Sequence, residues 1–111
     1  PVEATTAQCQ MAVDGYTFLV NMTPYDDIRA YIRVLEAGEL TIEGRLYDDQ
    51  DVLSIGGGQW DTLAVRTYTG ATTEWVDLTD YNYYTMFRVK NTGDAVIGVR
   101  EVSFCGTLGG R

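Results

Sequence analysis

Asp48, Asp49 and Asp51 place three carboxylates within four positions. Clustered hard oxygens of this kind suit Ca²⁺. The run lacks the D-x-D-x-D-G order and the distal glutamate of an EF-hand loop. It therefore reads first as a solvated acidic turn and second as a structural Ca²⁺ site at the rim of a fold. Catalysis has less to work with. The chain has no histidine, the side chain that titrates nearest neutrality. Ser54 and Ser103 sit in strand-like runs, and no G-x-S-x-G occurs. The IGGGQW stretch at 55–60 lacks the G-K-[ST] ending of a phosphate loop and the helix that follows one. With ten aspartates, a pair of carboxylates near one another is not diagnostic. We expect a protein that is not an enzyme and holds no resident cofactor.

The aromatic residues offer binding chemistry instead. TDYNYYTMF, residues 79–87, holds three tyrosines in four positions. Trp75, Tyr81, Tyr83 and Tyr84 form one candidate set, in which flat rings stack on sugar C–H faces. Asp77, Asp80 or Asn82 would then bind hydroxyls. A second reading makes Trp60, Arg66, Tyr68, Trp75, Tyr81, Tyr84 and Arg88 a protein-docking set, because Trp, Tyr and Arg are enriched where interfaces bind most strongly. The bland alternative is that strands simply favour tyrosine. On that reading Phe87 and Val89 point to a core, while Tyr84 and Arg88 point to a surface.

Charge excludes some partners. Sixteen acids oppose eight bases, for a net charge of −8. Such a chain cannot easily build the basic stripe that phosphate backbones attract, so neither nucleic acid nor an anionic membrane is an expected partner. No apolar run approaches the roughly 20 residues of a membrane span. Pro1, read as a natural terminus, fits removal of an initiator methionine better than cleavage of a secretory leader.

Period-two alternation shows how the chain would position these residues. Ile28, Ala30, Ile32 and Val34 fall on one side of DIRAYIRV, with Arg29, Tyr31 and Arg33 on the other. Tyr16, Phe18 and Val20 share a face, as do Leu40, Ile42 and Leu46, Leu63 and Val65, and Val76 and Leu78. Thr41, Glu43 and Arg45 are expected to face outward. Ile97 and Val99 are followed by a parity change to Val102 and Phe104, which predicts a bulge near Arg100–Glu101. Gly, Pro, Asn and Asp punctuate these runs at turn positions. The expectation is an all-β single domain over 1–111: an antiparallel β-sandwich, jelly-roll-like, of seven to eight strands. Residues 1–8 read as a possible extended arm and 106–111 as a flexible tail. Cys9 and Cys105 are either two thiols or a bridge. A bridge would close nearly the whole chain and contribute roughly 4–5 kcal/mol, and it requires neighbouring first and last strands.

Two resemblances follow. AGELTIEGR and IGGGQWDTLAVRTYTGATTEWVDL, within residues 37–78, resemble a pattern in small virion proteins of tailed phages. YYTMFRVKNTGDAVIGVREVSFCG resembles the closing strands of galactose-binding-like jelly rolls, including carbohydrate-binding modules. The first implies a virion structural protein: a capsid decoration or head/tail accessory component docking on other virion proteins and on itself as a trimer or larger. The second implies a secreted, glycan-binding module. A third reading is a subunit of an extracellular filament, with VEATTAQ as an arm that adds to a neighbour's sheet edge.

Overall fold

The computed structural model describes residues 5–6, 9–17, 20–22, 25–45, 60–81 and 84–108. The expectations for Asp48, Asp49 and Asp51, for Phe18, Leu46, Asn82 and Tyr83, and for the IGGGQ turn fall outside these residues. Nine strands are present among the described residues: β1 (Thr5–Thr6), β2 (Cys9–Met11), β3 (Val20–Asn21), β4 (Tyr25–Val34), β5 (Gly38–Arg45), β6 (Asp61–Tyr68), β7 (Thr72–Asp77), β8 (Met86–Asn91) and β9 (Ile97–Leu108). A three-residue 3₁₀ turn, Thr79–Tyr81, lies between β7 and β8.

β1 and β2 pair with β9 in the same register, Thr5 opposite Ser103 and Met11 opposite Ile97. They act as a single edge strand. One sheet then runs β1/β2–β9–β4–β7, and the other β3–β8–β5–β6. All pairs are antiparallel. With β1 and β2 taken together, successive strands alternate between the sheets except at the β5–β6 hairpin, which is the order of a jelly roll.

The core lies between the sheets. Ile28, Ala30 and Ile32 from β4 are fully buried, with Leu40 and Ile42 from β5 and Phe87 and Val89 from β8. Phe87 and Phe104 meet across the gap with ring centroids 5.6 Å apart. The expected bulge is present. Arg33 pairs with Glu101 but Val34 pairs with Val99, so Arg100 is the extra residue on β9. That insertion lets Ile97, Val99, Val102 and Phe104 all reach the core.

Three expectations need correction. Val65 does not face inward with Leu63; it is exposed. A second bulge, between Ile42 and Glu43, makes Leu63 the unpaired residue and reverses parity along β6. Thr41 and Arg45, expected outside, are buried. Residues 106–108 are no tail, because β9 continues to Leu108 against Tyr25.

The bridge between Cys9 and Cys105 is not formed, and Cys105 is a thiol. Cys9 lies opposite Val99, six residues along β9 from Cys105, or about 20 Å at strand rise. Disulfide geometry needs Cα atoms within about 7 Å. The first and last strands are neighbours, as a bridge requires, but the register keeps the backbones of the two residues apart.

Gly106 sits where β9 packs closely against the start of β4. A Cβ there would stand 2.8 Å from Tyr25 Cβ and 2.9 Å from the Asp26 carbonyl oxygen. We expect Gly106→Ala to lower the free energy of unfolding in urea by about 1–3 kcal/mol. Gly70→Ala, where a Cβ meets nothing within 4 Å, should stay within about 0.5 kcal/mol of wild type.

Candidate functional site

The seven residues expected to form a docking set are dispersed by the fold. Trp60 and Arg88 lie on the outer face of the β3–β8–β5–β6 sheet. There the Arg88 guanidinium sits 3.8 Å from the Tyr16 ring centroid and 4.1 Å from that of Trp60. Its Nε donates to Glu43 Oε1 at 2.7 Å. Arg45 also approaches Trp60, at 5.8 Å. Arg88 is buried and committed to this stack; a charge stacked between two rings in a sheltered place is held strongly. Arg88 is thus spent on this stack, while Tyr16 beside it stays exposed.

Arg66 and Tyr68 also turn inward, since they pair with Leu40 and Gly38 on the core side of β5. Both reach across the gap to Glu74 on β7. Tyr68 Oη donates to Glu74 Oε2 at 2.7 Å, and Arg66 Nε stands 3.6 Å from the same oxygen. Burial first, then the hydrogen bond to Glu74, raises the Tyr68 phenol well above its ordinary value. The trio fastens the two sheets along one side. At its end, a cleft of about 560 Å³ is bounded by Glu39, Tyr68, Thr92 and Asp94, among others. The Glu39 carboxylate accepts from Thr92 Oγ1 at 2.6 Å.

Tyr84, expected at the surface, is 7% exposed. It packs beside Gly44 and donates its hydroxyl to Asp61. Tyr81 is half-buried, its ring 6.2 Å from that of Tyr84. Among the described residues, Trp75, Tyr81 and Tyr84 do not form a common platform. Nor do the described residues gather three or more His, Cys, Asp or Glu side chains fit to hold a metal.

Trp75 differs from the rest: 52% of it is exposed. It lies on the outer face of the other sheet, directly across from Tyr31, which in turn lies across from Ser103. Tyr31 and Trp75 ring centroids are 5.0 Å apart, tilted by 56°. The Arg29 guanidinium lies 5.1 Å from the Trp75 centroid. Arg33, at the same spacing beyond Tyr31, is exposed. Neither Arg29 nor Arg33 forms an ion pair among the described residues.

The two carboxylates on this face are engaged locally. Asp77 Oδ1 accepts from the Thr79 hydroxyl at 2.7 Å and from its backbone N–H at 2.9 Å. Those bonds, the hydroxyl first, hold the Asp77 carboxyl below its ordinary value. Glu101 Oε2 accepts from Ser103 Oγ at 2.7 Å. Arg29, Tyr31 and Arg33 were legible as one outward face of β4. Their meeting with Trp75 required the β4–β7 register, which alternation does not contain.

Comparison with protein-family models, with curated proteins and with solved structures matched nothing.

Two outcomes test the roles assigned to the buried polar residues. Arg88→Ala should lower stability by about 3 kcal/mol, since it leaves Glu43 sheltered without its partner. Arg88→Lys should lose about half of that, because a point charge cannot fill both ring faces; urea midpoints measure both. Tyr68 holds its proton more tightly in the folded state than in the unfolded chain. Its contribution is complete below the ordinary phenol value of about 10 and declines as pH rises above it. Tyr68→Phe should therefore flatten the alkaline arm of the stability–pH curve.

Proposed function

We propose that this chain is a non-enzymatic structural protein that docks on neighbouring subunits through the outer face of the β1/β2–β9–β4–β7 sheet. Copies of itself are among those subunits. The observation that carries this reading is the Arg29–Tyr31–Trp75 group. Trp, Tyr and Arg are the residues on which interface energy concentrates. Here Arg29 and Trp75 stand exposed with half-buried Tyr31 between them, whereas Arg88 on the opposite outer face is spent on its own stack. A capsid decoration or head/tail accessory protein of a virion works by such multivalent docking, and the phage-like segment at 37–78 supports that setting.

The sugar-binding alternative draws less support from the geometry. Trp75 and Tyr31 are tilted to each other, and Arg29 already stacks on the indole. Tyr84 is buried. A flat stacking surface has nothing in the described residues to extend it.

Light scattering after size exclusion tests the proposal. Wild type should assemble in a concentration-dependent way, and Trp75→Ala should run at the 12.3 kDa of one chain with its unfolding midpoint unchanged. A wild type that stays at that mass at every concentration would overturn the reading. So would a Trp75→Ala variant that assembles like wild type.

A further inference from the structure

Among the described residues, β7 is the one sheet edge that is both long and regular. The sheets end in β1/β2 and β7, and in β3 and β6. β3 has two residues, and β1 and β2 have two and three. β6 carries the bulge at Leu63. β7 pairs with β4 from Thr72 to Asp77 without a shift and has no second partner among the described residues. Its sequence, TTEWVD, holds no Pro, Gly or Lys. Proteins usually blunt such an edge with Pro, Lys, a bulge or an inward charge. The inward charge here, Glu74, is already held by Tyr68 and Arg66.

Hydrogen-bond parity shows what this edge presents. Leu78 N–H donates to the Ile28 carbonyl at 2.9 Å, one residue beyond the Arg29–Asp77 pair in the same register. In an antiparallel ladder, directly opposed residues exchange backbone bonds at every second pair. Thr72, Glu74 and Val76 therefore bond to β4. The N–H and C=O groups of Thr73, Trp75 and Asp77 point to the open edge. These three residues are also exposed, so Trp75 presents its ring and a backbone donor and acceptor at one place.

The charges on the outer face are balanced. Arg29 lies across from Asp77, and Arg33 across from Glu101. A partner carrying one sign of charge meets both attraction and repulsion there. A second copy of the same edge does not. Resting on the docking reading above, we infer that β7 of a second copy adds antiparallel to β7 about a two-fold axis through Trp75. The two β1/β2–β9–β4–β7 sheets then become one, joined by the backbone bonds of strand addition. Trp75 exchanges bonds with Trp75 of the second copy, and Thr73 with its Asp77. Across the seam, one outer row reads Arg29, Asp77, then the second copy's Thr73, Arg33 and Glu101. Charges alternate along it, and no like pair is adjacent. The central row reads Tyr31, Trp75, then Trp75 and Tyr31 of the second copy, and such cross-strand aromatic pairs are favourable. Neighbouring registers of the same parity fit less well. An axis at Glu74 opposes that carboxylate to its own copy, which like charges disfavour. An axis at Val76 carries Thr73 and Glu74 past the end of the facing strand. The contact is isologous and closes as a dimer.

Two kinds of variant test the edge apart from the ring. In Thr73→Pro the lost N–H is one that faces away from β4, a position where an edge strand tolerates proline. Thermal unfolding checks that the variant folds. It should weaken self-association at least about tenfold, a loss typical of an interface hot spot. Thr73→Cys and Asp77→Cys test the register with Trp75 in place. Residues opposed in a bonded pair have Cα atoms about 5.5 Å apart, within disulfide range. Within one chain, positions 73 and 77 are about 13 Å apart. Mixed in equal amounts under mild oxidation, the two variants should give a covalent species of twice the 12.3 kDa chain mass. Each alone should cross-link no more than wild type does through Cys9 and Cys105.

Two results overturn the inference while leaving the docking face in place: a folded Thr73→Pro variant that assembles like wild type, or a mixture that cross-links no more than its single variants although wild type assembles. The second outcome is also the one expected if β7 takes its added strand from a different protein. Should Thr73→Pro fail to fold, the cysteine pair decides. A wild type that never assembles, or a Trp75→Ala variant that assembles unchanged, overturns the docking reading and this inference with it.

Discussion

The pairing of β4 with β9 is the constraint on which the rest depends. These are the longest strands, and they lie beside each other in the middle of their sheet. An alternating strand can bury one set of side chains, and a slip of one residue sends that set to solvent. β9 would bury Ile97 and Val99 but expose Val102 and Phe104 if it ran straight. The extra residue at Arg100 resets its parity within the ladder. Phe104 then reaches Phe87 in the facing sheet, and the outward row Ser103–Tyr31–Trp75 comes into line across three strands. One inserted residue thus serves both the core and the outer face.

Polar contacts close what this core leaves open. Asn91 is fully buried, and its amide donates to the carbonyls of Met11 and Ala95 while accepting from Gly93 N–H. It fastens the end of the N-terminal edge strand to the β8–β9 turn. The Arg66–Tyr68–Glu74 trio spans the two sheets at their β6 and β7 edges. Arg88 holds Tyr16 and Trp60 against the outside of one sheet. Each places a charge or amide where leaving it unpaired is expensive, so Tyr16, Trp60 and the β8–β9 turn are held in particular positions. Four of the arginines and tyrosines expected at an interface, Arg66, Tyr68, Tyr84 and Arg88, serve the fold in this way.

That reassignment shows what alternation could and could not convey. Inward residues on β4, β8 and β9 were legible because long, regular runs repeat at period two, and the parity change at Arg100–Glu101 was visible within one segment. The bulge at Leu63 was not, because TLAVRTY reads as a plain alternation when its partner is unknown. Arg88 and Tyr84 were read as surface residues because polarity alone does not reveal that Tyr16, Trp60 and Asp61 arrive beside them from distant parts of the chain. The Arg29–Tyr31–Trp75 group failed to appear for a similar reason. Arg29, Tyr31 and Arg33 were correctly placed on one face of β4, but only strand register brings them beside Trp75.

On the docking reading, net charge and the open face work against each other in a useful way. Copies with eight excess negative charges repel at long range, which discourages indiscriminate association. That repulsion is screened within about 8 Å at physiological salt, so short-range complementarity decides which contacts survive. Most orientations bring acid against acid or bury an unpaired group. An approach that covers Trp75 meets a face on which Asp77 and Glu101 lie directly across from Arg29 and Arg33, so both signs of charge must find partners there at once. Aromatic burial supplies the strength of such a contact, and the charges select its direction. A neutral chain with the same Trp75–Tyr31 pair would keep the first property and lose the second.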